Sequence, residues 1–178
     1  MLFRSNFPNV DSTVSVIDLG SQQEITRITV GKNPGSVQTD PSGEIYVITR
    51  GDYAAIPSRM HRINPNTHSV VQSFSFDASG ISPFNNRFLL SYHDFNSGDN
   101  KIALFDPNTE TIVNPAYIPT GGIQTLYGIY YSSLTNKIYC MDAKNYTVTG
   151  QVHVFSNAGT FETSYNVGLN PCKILIYE

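Results

Sequence analysis

The sequence predicts an all-β chain built from repeated four-stranded antiparallel units, and three observations carry that prediction. The first is recurrence at a fixed distance. Gly31 and Pro34 of Val30-Gly31-Lys32-Asn33-Pro34 return as Gly168 and Pro171, 137 residues on, and Tyr46 returns as Tyr139, 93 residues on. Those distances are close to three and two times one period of about 46 residues, inside the range of repeat architectures. The second is composition: 11 Tyr and 10 Phe with no Trp, plus 13 Gly and 10 Pro, suit strands separated by turns. The third is a series of polar corners, Asp18, Asn64, Asp106 and Ser156, spaced 46, 42 and 50 residues apart. Each has a side chain suited to starting a hairpin turn.

Strands of a unit are labelled A to D in chain order. The chain opens in mid-unit, with a weak strand B at Leu2-Phe3-Arg4, strand C at residues 13–18 and strand D at 24–30. The second unit is the clearest. Its strand A covers residues 35–39, Asp40-Pro41-Ser42-Gly43 turns the chain, strand B covers 44–50, strand C 59–63 and strand D 69–76. The third unit has strands B at 87–92 and C at 101–105, and a corner at Asp106-Pro107-Asn108-Thr109 that matches Asn64-Pro65-Asn66-Thr67. Its strand A is shortened to 81–84, where Pro83 removes a ladder donor, and its strand D at 111–118 is interrupted by Pro115. The fourth unit is complete, at 126–131, 137–141, 152–155 and 160–167, and residues 172–177 begin a fifth strand A.

Four-stranded antiparallel units at this period are the signature of β-propeller blades, about four of them here. The pieces also resemble a known repeat. Val16-Ile17-Asp18, Val30 to Pro34, Pro41 to Gly43 and Ile45-Tyr46-Val47-Ile48-Thr49 are similar to the YVTN-type propeller repeat, named for its Tyr-Val-Thr-Asn strand and common in bacterial surface proteins. The fourth unit, with Tyr127-Gly128 and the closing Val167-Gly168-Leu169-Asn170-Pro171, looks most like the C-terminal end of secreted or surface propellers of the Bacteroides type. The resemblance covers the chain unevenly, being poor in the third unit. It implies part of a larger, seven-bladed propeller, and a periplasmic or cell-surface location.

Charge and apolar runs exclude several classes. Only 14% of residues are charged, and 11 basic against 14 acidic side chains leave no basic surface for nucleic acid. No window holds the ~18 apolar residues of a spanning helix, so no membrane-spanning segment is expected. Residues 1–5 lack the charged start and apolar run of a signal peptide. Cys140 and Cys172 are too few for a disulfide framework and read as packed thiols; neither has zinc-site spacing. Cofactors are expected to be none.

Candidate site residues fall in the loops joining strands B and C, which share one face on this strand assignment. They are Asp52 and Tyr53; Asp94, Phe95 and Asn96; and Asp142, Asn145 and Tyr146. Each loop combines an aromatic ring with acid or amide groups, the composition of a sugar or peptide contact surface. The same rings also suit packing between neighbouring blades. The loop from His93 to Asn100 is rich in hard oxygen ligands but fails the EF-hand spacing and reads as a polar connection. His61 and His153 lie three residues before their corners and read as repeat positions, surface or half-buried, rather than as a metal pair. Asn64 and Asp106 read as turn formers bonding their own backbone. Serine-hydrolase, P-loop and dinucleotide motifs are absent.

The function expected is therefore non-enzymatic binding or interaction, with a small glycan, peptide or protein as partner. The alternative is a propeller enzyme of lactonase or lyase type, which needs His and Glu clustered on inner strands. A chain opening at strand B and closing after strand A leaves edges that favour pairing. An open arc with self-association through those edges is expected over a closed four-blade ring.

Overall fold

A computed structural model describes residues 11–94 and 96–177. The expected strand B at Leu2-Phe3-Arg4 lies outside them. Fourteen strands and no helix occur among the described residues, in the order β1 (Thr13–Ile17), β2 (Glu24–Thr29), β3 (Pro34–Thr39), β4 (Ile45–Thr49), β5 (Arg59–Asn64), β6 (Ser69–Phe74), β7 (Gly80–Phe84), β8 (Arg87–His93), β9 (Asn100–Asp106), β10 (Thr111–Ile118), β11 (Leu126–Ser132), β12 (Lys137–Asp142), β13 (Gln151–Ser156) and β14 (Phe161–Asn166). They form one two-stranded sheet, β1-β2, and three four-stranded sheets, β3-β4-β5-β6, β7-β8-β9-β10 and β11-β12-β13-β14. Every pairing is antiparallel and joins strands consecutive in sequence, which makes each sheet a blade-like meander. The chain divides into two compact units at the Ser79/Gly80 bond.

Within unit 1, the first two sheets meet through Val14 and Ile28 on one side and Val47 and Ile63 on the other, all buried. Within unit 2, Leu89, Ile102 and Leu104 of the third sheet pack with Ile138, Cys140 and Phe155 of the fourth. The central strands are covered on both faces, so β4, β8 and β9 read as continuous apolar runs rather than alternating ones. The fourth strands, β6, β10 and β14, are mostly exposed and carry the polar residues.

The short strand A and interrupted strand D expected of the third unit are present as β7 and β10, and β7 to β10 still form a full four-stranded sheet. Pro83 lies in β7 and Pro115 in β10, the two edges of that sheet, and Pro34 lies in the edge strand β3. An edge strand has one side free of ladder bonds, so a missing N–H there costs little. Pro115 is nevertheless accompanied by the register shifts of β10 between Ile112 and Asn114 and between Asn114 and Ile118. Two expectations need correction. Residues 172–177 form no strand. Their lead-in still repeats the start of β3: Asn170 and Asn33, each just before a proline, both adopt positive φ (52° and 60°). Last, β6 ends at Phe74 rather than Phe76.

The expected turn chemistry is present. Asn64 Oδ1 accepts the N–H of Asn66 and Thr67 at 2.9 and 3.0 Å, and Asp106 Oδ1 accepts that of Asn108 at 2.9 Å. Cys140 and Cys172 are both free thiols; burial pushes the Cys140 thiol far up, which makes it inert.

Candidate functional site

The loop after β4 is built on the segment leading into β3. Arg50 N–H donates to the Asn33 carbonyl at 2.9 Å and Gly51 N–H to that of Lys32 at 3.0 Å. Gly51 has φ +69°, and a Cβ there would fall 1.9 Å from the Ile56 carbonyl oxygen, so only glycine fits. Asp52 Oδ1 accepts the N–H of Ala54 and Ile56 at 3.1 and 2.8 Å, and Oδ2 faces the Lys32 ammonium at 3.5 Å. Those N–H groups, Ile56 first, outweigh desolvation and hold the carboxyl below the usual carboxylate range. Tyr53 follows at φ 59°, with its ring 66% exposed and its hydroxyl accepting from Asn33 Nδ2 at 3.1 Å.

The loop after β12 repeats this construction 93 residues later. Lys144 takes the place of Gly51, Asn145 that of Asp52, and Tyr146 that of Tyr53. Lys144 and Tyr146 have positive φ, 53° and 67°. Asn145 Oδ1 accepts the N–H of Thr147 and Val148, two and three residues on, at 3.1 and 3.2 Å, where Asp52 serves residues two and four on. Tyr146 is 37% exposed and meets Tyr127, 45% exposed, edge to face at 5.6 Å. The left-handed region costs a side chain about 1–2 kcal/mol, so both tyrosines occupy a conformation that glycine or asparagine would adopt more easily.

Asp142 closes β12 and is fully buried, beneath the loop rather than at its tip. Its Oδ1 accepts the N–H of Thr125 and Lys144 at 2.9 and 2.8 Å; its Oδ2 accepts Gln124 N–H at 3.0 Å and the Lys144 ammonium at 2.8 Å. Burial pushes this carboxyl up, but Lys144 and the three N–H groups outweigh it and hold it below its ordinary value. Asp142 therefore fastens the lead-in of β11 to the end of β12. The position matching Asp142 in the second sheet is Thr49, not Asp52.

Asp94 lies in the loop after β8, where its Oδ1 accepts the N–H of Asn96 at 2.8 Å and of Ser97 at 3.4 Å. Phe95 lies outside the described residues. The oxygen-rich character of this stretch is spent locally: Asp99 Oδ2 accepts from Ser97 Oγ at 2.8 Å. No group of three or more His, Cys, Asp or Glu placed to hold a metal occurs among the described residues. Asn100, which the sequence did not single out, ties the third sheet to the fourth. Its amide nitrogen donates to the Ile123 carbonyl at 2.7 Å, its carbonyl accepts Leu126 N–H at 2.8 Å, and His93 Nδ1 lies 2.9 Å from the same oxygen. Within unit 2 this tie sets the loops after β8 and β12 at one end of the two sheets. Asn100 is one of many asparagines in turn-like context, and only its long-range partners mark it.

His61 and His153 are buried, 5% and 6% exposed, which corrects the expectation of surface or half-buried rings. They lie on the central strands β5 and β13, on the faces that meet a neighbouring sheet. His61 Nε2 lies 3.1 Å from Thr49 Oγ1 and its Nδ1 lies 2.9 Å from Ser73 Oγ. His153 Nε2 faces Asp142 Oδ2 at 3.6 Å, beyond hydrogen-bond length. Burial is the leading cause that pulls both imidazoles below their ordinary value, in His153 against the attraction of Asp142.

No family model matches the chain, and no curated protein does either. Among solved structures, hydrazine synthase of Kuenenia stuttgartiensis is similar, with a TM-score of 0.68 at 18% identity, over 90% of this chain and 49% of that one. A eukaryotic initiation factor is similar with a TM-score of 0.51 at 14% identity, over 78% of this chain and 33% of that one. Likeness at such identity is a likeness of fold alone. This chain spans about half the length of the hydrazine synthase chain it matches.

Proposed function

We propose that these sheets are blades of a β-propeller that acts as a non-enzymatic binding module, with a glycan or peptide held at the loops between strands B and C. Its resemblance to the YVTN-type repeat assigns it to the periplasm or cell surface. The meander of every four-stranded sheet, the period near 46 residues and the face-to-face packing within each unit support the propeller reading. The observation that carries the binding reading is the presentation of Tyr53 and Tyr146 to solvent by two loops of the same construction. The acids nearest those loops are already committed: Asp52, Asp94 and Asp142 accept backbone N–H groups.

A glycan array probed with the purified protein tests this reading. Replacing Tyr53, Phe95 and Tyr146 together by Ala is expected to abolish capture while leaving the melting temperature nearly unchanged, because loop-tip residues carry few core contacts. Turnover on a lactone panel, abolished by chelator, overturns it in favour of an enzyme. By the same resemblance the chain belongs to a larger propeller, and self-association is proposed with it. Light scattering is expected to give a mass above the monomer's; a compact monomer at all concentrations excludes that association.

A further inference from the structure

The two loop tyrosines share more than exposure. In each loop a left-handed residue (Gly51, Lys144), an Asx residue whose Oδ1 holds the next turn (Asp52, Asn145) and a left-handed tyrosine (Tyr53, Tyr146) follow one another. A turn of this shape is met most easily with Gly or Asn in third place. Packing does not explain Tyr53, which is 66% exposed, and Tyr146, 37% exposed, keeps part of its ring in solvent beside Tyr127. The same bulky residue in the same unfavourable backbone, 93 residues apart, is therefore kept for its ring. Each ring also has a neighbour, the Asn33 amide at the Tyr53 hydroxyl and the Tyr127 ring in T-shaped contact with Tyr146, which restricts its orientation before any ligand arrives.

The charges nearby narrow the ligand class. Asp52 is paired with Lys32 and Asp142 with Lys144, so neither loop offers a spare acid to a cation. A flat apolar face beside neutral amide and hydroxyl groups suits a ring that has an apolar face and a rim of hydroxyls. We infer that Tyr53 and Tyr146, each within its own loop, are stacking platforms for pyranose rings of an oligosaccharide. This rests on the binding-module reading above and names its ligand.

Saturation-transfer NMR with cellohexaose, mannohexaose and xylohexaose tests it, together with the variants Tyr53→Gly, Tyr146→Gly and the double variant. At least one hexasaccharide is expected to receive transfer. Each Gly variant weakens its binding about tenfold, the size of one ring contact, while its melting temperature holds or rises because the backbone is relieved. Tyr53→Phe and Tyr146→Phe are expected to keep the stack and change Kd by no more than about twofold. No transfer to any of the three sugars overturns the inference, as does binding retained by the double variant. A lowered melting temperature in either Gly variant also overturns it, because the ring then serves packing. Binding of decaproline in place of the sugars, lost in the double variant, overturns the saccharide class but leaves the binding-module reading standing. Chelator-sensitive lactone turnover overturns that reading itself.

Discussion

Glycines in this chain differ sharply in what they permit. Gly43 has φ +90° and open space around it, so Gly43→Ala should cost about 1 kcal/mol, the backbone term alone. Gly51→Ala adds a clash with the Ile56 carbonyl to a similar φ and should lose more than about 2 kcal/mol in urea melts. At Asp142 the issue is burial. Asp142→Ala removes the acceptor for three N–H groups and the Lys144 ammonium, and a loss of about 3–5 kcal/mol is expected from equilibrium unfolding. At the matching place in the second sheet the neutral Thr49 lies 3.1 Å from His61 instead. The Asx turns at Asn64 and Asp106 were legible in the sequence because their partners lie two or three residues away. The long-range partners of Asp142 and Asn100 were not, since they lie 17 to 26 residues away and a one-dimensional pattern carries no sign of them. The left-handed tyrosines escaped for a different reason: nothing in tyrosine's own preferences points to positive φ.

Strands were legible where the apolar runs are long. β4, β8, β9 and β12 follow the sequence reading to within one residue at either end, because central strands must be apolar on both faces. Strand edges were harder, and the third unit shows why. Its prolines suggested a damaged repeat, whereas a proline on an edge strand leaves the ladder on its paired side in place. Pro83→Ala is accordingly expected to change stability by less than about 1 kcal/mol. Leu89→Ala, two places into β8 and fully buried in the core between the third and fourth sheets, should cost about 2–5 kcal/mol. Circular-dichroism melts of the two variants check the contrast within one hairpin.

Across the whole molecule, two histidines and four aspartates act on stability in one direction. His61 and His153 are held below the ordinary imidazole value near 6.5, so the unfolded chain takes up protons more readily than the folded one. Stability is then full above about pH 6.5 and falls as the pH drops through the folded values. The carboxyls of Asp52, Asp94, Asp106 and Asp142 are also held low, and their contribution is lost in a second, more acid window, below the ordinary carboxylate value near 3.9. Denaturation midpoints measured from pH 8 to pH 4 should fall, and replacing both histidines by Gln should flatten that stretch. The order of strands bears on how the chain is made. Every described strand pairs with its immediate predecessor or successor in sequence. At about 5–20 residues per second, a ribosome needs roughly 5–20 s to add residues 80–178. In that interval unit 1 already has the ladder partners of all its described strands, so its hairpins close without waiting for the C-terminal half to be synthesised.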